Sequence, residues 1–239
     1  MEINLDDKEL EGVLDLEQYC WNNNIDAKKV TSLYCYYNEL TELKGLDKLI
    51  NLDVLDCSDN QLSELDVGNL VNLKELNCDD NKLTELHLSN LVNLKDLNCY
   101  NNELTELHLS NLVNLERLYC NSNELTELKG LDKLINLERL YCENNKLTEL
   151  DVSKLVNLGT LSCHHNQLIK LDVSNLVNLE RLYCSNNKLT ELNVGNLVNL
   201  KDLNGDEFMQ PEPEPEPDKL DLILSKIEKL EQVILDNKG

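Results

Sequence analysis

Basic residues are scarce in this chain: 22 Lys and Arg stand against 45 Asp and Glu, a formal charge of −23 over 239 residues. So negative a surface repels phosphate backbones and anionic lipid headgroups, and neither nucleic acid nor a membrane is expected as a partner. Long apolar runs are also missing, and no stretch approaches the roughly 20 residues that a membrane helix needs. The opening stretch, Met1 to Leu10, has neither the basic region nor the apolar run of a secretion signal, so a cytoplasmic location is expected. There is no glycine-rich phosphate loop, no nucleophile motif and no metal-ligand spacing, so no enzyme and no cofactor is expected. What the charge permits is a partner with a basic patch, although acidity also serves solubility alone.

What is present is repetition. Aligned on Leu-x-x-Leu-x-Cys-x-x-Asn, eight complete units begin at Val30, Leu52, Leu73, Leu94, Leu115, Leu137, Leu158 and Leu179, with a period of 21 or 22 residues. A ninth start at Leu200 and Leu203 has Gly205 where the cysteine belongs. Within a unit the second Leu and the Cys, such as Leu76 and Cys78, stand two apart and face one side of a short strand. Leu83, Leu86, Leu88 and Leu91 then bring the chain back over that strand. One coil cannot bury this side alone, so coils must stack and pair their strands in parallel.

The Asn column (Asn38, Asn60, Asn81, Asn102, Asn123, Asn145, Asn166 and Asn187) is expected to satisfy buried turn groups through its amides. Eight of nine cysteines, Cys35 through Cys184, form a second column, and Cys20 is left over. In-register parallel neighbours point their side chains alike, which suits a disulfide poorly. A linear row also does not converge on a tetrahedral metal, so buried free thiols are expected.

These units resemble the leucine-rich repeats, in particular the short-repeat, internalin-like branch; their Asn- and Lys-rich style is similar to repeats of low-GC bacteria or large amoebal DNA viruses. The resemblance implies an α/β solenoid, a right-handed superhelix with a parallel sheet on its concave side. If the source is viral, the expected location becomes the host cytoplasm.

Four segments follow: an N-terminal cap at 1–29, the solenoid at 30–204, a linker at 205–217 and a helix at 218–239. In the cap, Leu10, Val13 and Leu14 have helical spacing, with Leu16 and Tyr19 flanking, and Trp21 is expected to pack on the first coil. All four prolines lie in the alternating Pro-Glu run at 211–217, which favours an extended spacer. Beyond it Leu220, Ile223, Ile227, Leu230 and Ile234 step by three and four, the seam of a short coiled coil. Two readings stay open: this helix joins copies into a homo-oligomer through 218–236, or it folds back over the last coil.

The expected function is non-catalytic binding of a protein partner on the concave face, the alternative being a structural protein assembled through that helix. All three arginines, Arg117, Arg139 and Arg181, occupy one outward strand column, each two residues before a tyrosine (Tyr119, Tyr141, Tyr183). Tyr34 shares the tyrosine column, while Tyr36, Tyr100 and His164 follow their cysteines directly. Tyr and Arg are the residues that dominate interface energetics, and here they gather on one face of an acidic chain. The earlier coils present Asp56, Glu75, Asp79 and Asp96 instead. Module duplication would produce the same pattern, since one twelve-residue stretch occurs at both 40–51 and 125–136. His87 and His108 occupy equivalent places outside the strands and are read as a solvated ladder.

Overall fold

The computed structural model describes residues 1–205; the rest of the linker and the helix expected at 218–239 lie outside the described residues. Ten three-residue strands form one parallel sheet in chain order: 2–4, 32–34, 54–56, 75–77, 96–98, 117–119, 139–141, 160–162, 181–183 and 202–204. Pairing is residue on residue, so Leu33, Leu55, Leu76, Leu97, Leu118, Leu140, Leu161 and Leu182 make one buried row. The cysteines behind them are equally buried, and all nine are free thiols. Burial, with nearby carboxylates adding to it, pushes the thiols up, Cys35 and Cys99 to about 12, so these sulfurs pack as small apolar groups.

The Asn column behaves as expected. Each amide nitrogen reaches three carbonyls: Asn123 Nδ2 donates to Cys99 O (2.9 Å), Cys120 O (3.2 Å) and Asn121 O (3.2 Å). Its Oδ1 accepts from Leu104 N at 3.0 Å, so one side chain ties two neighbouring coils. Just before it sits a residue with left-handed backbone, one per coil from Asp7 to Asn186, with φ between 49° and 55°. Short polar residues tolerate that conformation best, and Asp, Asn and Ser fill most of the column; Tyr37 and His165 are the bulky exceptions.

A second ladder runs along the opposite side, and its signal in the sequence is the asparagine between Val or Ile and Leu. Asn72, Asn93, Asn114, Asn136, Asn157, Asn178 and Asn199 each donate Nδ2 to the carbonyl of the residue just before the equivalent asparagine one coil back, at 2.8–3.0 Å. The second half of the duplicated stretch folds the same way twice, giving single-turn helices at Leu46–Lys48 and Leu131–Lys133 after left-handed Gly45 and Gly130. At Gly130 a Cβ would stand 2.3 Å from Ser110 Oγ, so glycine is required there on two counts.

The N-terminal segment departs from expectation. Glu2–Asn4 is the first strand of the main sheet, with Ile3 and Leu5 buried where later coils place Leu and Cys. Residues 1–29 thus form a first coil. Glu11–Asp15, expected to be helical, is a strand paired with Glu39–Lys44. Gly12, left-handed at φ 69°, starts the bulge that turns Leu10, Val13 and Leu14 out of helical register. The helix begins only at Leu16, where the Asp15 carboxylate accepts from Gln18 N at 2.9 Å, and it runs to Asn22. Leu16 and Cys20 are its buried residues; Trp21, expected to pack inward, faces solvent at 80% exposure.

Candidate functional site

Each sheet strand sends its middle residue inward and its two outer residues to solvent, so the parallel register builds two outward columns. The first carries Ser32, Val54, Glu75, Asp96, Arg117, Arg139, Thr160, Arg181 and Asp202; the second carries Tyr34, Asp56, Asn77, Asn98, Tyr119, Tyr141, Ser162, Tyr183 and Asn204. Because the backbone bonds are spent within the sheet and the two ladders, these outward residues are free to vary without disturbing the fold.

The structure joins some of the candidate residues and separates others. Tyr119 and Tyr141 stack with ring centroids 5.1 Å apart and planes 16° from parallel, which leaves a flat aromatic platform. Arg117 lies beside Arg139 in register but is held back by Asp96, whose carboxylate accepts from Nε at 2.5 Å. The acidic residue that borders the arginines and the first arginine of the face therefore neutralise each other. Arg139 and Arg181 are exposed and make no ion pair among the described residues. Tyr183 donates its hydroxyl to Asp202 at 2.5 Å and leans toward the C-terminal end. Tyr34 stands four strands from Tyr119, and a shallow groove of about 320 Å³ connects them over Asp56, Asn77 and Asn98. Tyr36, Tyr100 and His164 lie past the strand ends, on the turn beside the sheet. His164 Nδ1 is 3.0 Å from Ser162 Oγ, and its ring meets His165 edge-on at 5.2 Å.

On that same turn the N-terminal coils gather Asp59, Asp79 and Asp80. One Asp79 oxygen is buried without a hydrogen-bond partner, and burial, with Asp80, Asp59 and Asp56 adding to it, raises its carboxyl to about 6. His87 and His108 stay on the surface beside Glu85 and Glu106.

With this geometry the chain meets known proteins. Leucine-rich repeats in their two-copy form match residues 28–70 and 113–155, and the single leucine-rich repeat matches 72–94 and 178–200. The chain belongs to the leucine-rich-repeat family. Its structural relatives are internalin-like. The functional domain of InlJ from Listeria monocytogenes, described as including a cysteine ladder, is 35% identical with a TM-score of 0.75, over 78% of this chain and 42% of that one. A leucine-rich-repeat protein of Leptospira interrogans is 29% identical (TM-score 0.73, 86% and 55% covered). Internalin C2 of Listeria monocytogenes is 28% identical (TM-score 0.70, 75% and 82% covered). The chain thus spans about half the length of the first two or less. No curated protein sequence matches it. In this family the repeat is in general a non-catalytic scaffold for protein–protein interaction.

Proposed function

We propose that the chain binds a protein partner on the outward, concave face of its sheet and performs no catalysis, with Arg117, Arg139, Arg181, Tyr119, Tyr141 and Tyr183 at the centre of the contact. The observation that carries this reading is the stacked Tyr119–Tyr141 pair beside Arg139, which has no ion pair among the described residues, with a second such arginine, Arg181, two strands on. Stacked rings offer a large surface at small entropic cost, and an unpaired guanidinium has all its donors to give. Tyr34, Tyr36, Tyr100 and His164 extend the surface at its margins. The acidic N-terminal coils would meet a basic patch on the same partner. Nine thiols without a disulfide suit a reducing compartment, so cytoplasm, or host cytoplasm for a viral source, is the location proposed.

The test is affinity capture from the native source followed by mass spectrometry. Replacing Arg117, Arg139 and Arg181 together by Ala is expected to abolish recovery of the partner while thermal unfolding stays nearly unchanged. Equal recovery by wild type and variant would sink the proposed face. Self-association through residues 218–236 is a second reading, supported by their apolar spacing. Truncation at Glu207 should then lower the mass seen by light scattering far beyond the residues removed; an unchanged oligomer number excludes this helix as the organiser.

A further inference from the structure

We infer that the coil of Thr160 forms a recess in the sheet face that receives one carboxylate side chain of a protein partner between Arg139 and Arg181. This rests on the concave-face reading above and names its central contact.

The recess is made by a run of small residues where neighbouring coils carry large ones. Gly159, Thr160 and Ser162 replace the Glu, Arg and Tyr found at 138, 139 and 141 and again at 180, 181 and 183. Strand pairing sets Thr160 between Arg139 and Arg181, and Ser162 between Tyr141 and Tyr183. Although both point to the solvent side, Thr160 is only 5% exposed and Ser162 only 2%. Their taller neighbours wall them in. On the Thr160 side, toward the strand starts, runs an open groove of about 710 Å³ that Arg139, Gly159, Thr160 and Arg181 all line.

The groove offers donors that nothing uses. The Thr160 hydroxyl takes no hydrogen bond among the described residues, its backbone N–H being bonded to Glu138 O, and neither guanidinium has an ion pair. Ser162, by contrast, is already bonded to His164. Two of the three acids around the groove are taken up, Glu116 by Lys95 at 2.7 Å and Glu180 by Lys201 at 2.8 Å. Glu138 alone remains unpaired at the rim. Arg139 and Arg181 stand two strands apart, roughly 9.6 Å along the sheet, a gap their long side chains can close on a single anion. One carboxylate then accepts from both guanidiniums and from the Thr160 hydroxyl, all charge-assisted bonds. A phosphate ester would bring nearly twice the charge against Glu138 and against a chain of −23, which favours the monoanion.

The experiment pans a phage-displayed random-peptide library on the full chain and measures the synthesised binders by fluorescence anisotropy. Binders that share an Asp or Glu are expected, with affinity falling about tenfold when that residue becomes Asn or Gln. The same loss is expected for Thr160→Phe, which fills the recess without changing charge, and for the joint variant Arg139→Gln, Arg181→Gln. Glu138→Gln, which removes the opposing charge, should tighten binding. Unchanged thermal midpoints confirm that the variants fold. Binders indifferent to all three changes overturn the recess. If those binders are instead lost with Tyr34→Ala or Tyr119→Ala, the concave-face reading stands without it; if they are not, both fall. A library that returns no binder, or competition by inorganic phosphate as strong as by the Glu peptide, also overturns the proposal.

Discussion

The coils from Cys35 to Cys99 and those from Cys120 to Cys184 share one backbone, one register and the same two asparagine ladders, yet their surfaces are opposites. The N-terminal half crowds Asp56, Asp59, Asp79 and Asp80 together, and burial and mutual repulsion raise Asp59 and Asp79 from their ordinary value, Asp79 to about 6. The C-terminal half sets arginines beside stacked tyrosines. The fold does not require either surface, because its hydrogen bonds and burial are complete in the Leu, Cys and Asn columns. What differs between the halves is what a partner would meet, and one half carries a cost in stability for it.

The largest expected effect tests whether the halves really share a frame. Asn60, 8% exposed, and Asn166, also 8%, hold equivalent places in the two halves, each donating to three carbonyls and accepting one backbone N–H. Either asparagine changed to Ala strands a buried backbone N–H and strips several carbonyls, at a cost of about 2–4 kcal/mol. Denaturant melts should show the same loss at both sites. A large inequality would mean that the ladder does not carry both halves alike.

The next effect should appear in the acidic half alone. Asp79 has a buried oxygen without a partner, and its carboxyl is raised to about 6 from an ordinary 3.8. A folded value above the unfolded one means the native state holds the proton longer. The contribution of Asp79 is therefore whole below the ordinary value and is lost as pH rises through about 6. Asp79→Asn removes that loss; asparagine already serves at the equivalent position, Asn121. The variant should gain about 2 kcal/mol at neutral pH, and the gain should vanish at a pH below the ordinary carboxylate value. Chemical denaturation across that range checks it, and a gain independent of pH would assign the effect to packing instead.

How far the sequence reveals all this depends on repetition. Leu118, Cys120 and Asn123 are legible because eight copies state the same requirement, and a parallel register follows from a constant period. The first coil is obscure because it breaks the pattern. Ile3 and Leu5 stand for Leu and Cys, Lys8 stands where the asparagine belongs, and Asn38 of the next coil accepts from Lys8 N as well as making the usual ladder bond to Leu10 N. The spacing of Leu10, Val13 and Leu14 suits a helix, but a left-handed Gly12 and pairing with Glu39–Lys44 decide for a strand. The outward columns can be read from the strand alternation, down to each Arg and Tyr. What cannot be read there is which of them meet. The Asp96 clamp on Arg117 and the burial of Thr160 depend on side chains one strand over, and those lengths and directions appear only in three dimensions.

The smallest expected effect belongs to the C-terminal half and asks whether its aromatic surface is organised or merely duplicated. Copying the stretch Asn-Leu-Glu-Arg-Leu-Tyr-Cys places tyrosines in adjacent strands at 119 and 141, and stacking could be a passive result of the register. If the rings stabilise one another, a double-mutant cycle of Tyr119→Ala and Tyr141→Ala should give a coupling of about 0.5–1 kcal/mol in favour of the pair. Tyr183 is the internal control. It has no aromatic neighbour in the next strand, because Ser162 intervenes, and its hydroxyl is committed to Asp202. A cycle between Tyr141 and Tyr183 should therefore show no coupling. Coupling confined to the first pair means that the platform is rigid before a partner arrives, so side-chain ordering adds little to the cost of binding. Equal and negligible coupling in both cycles would reduce the stripe to a copied surface, and the acidic half would become the better place to look for the contact.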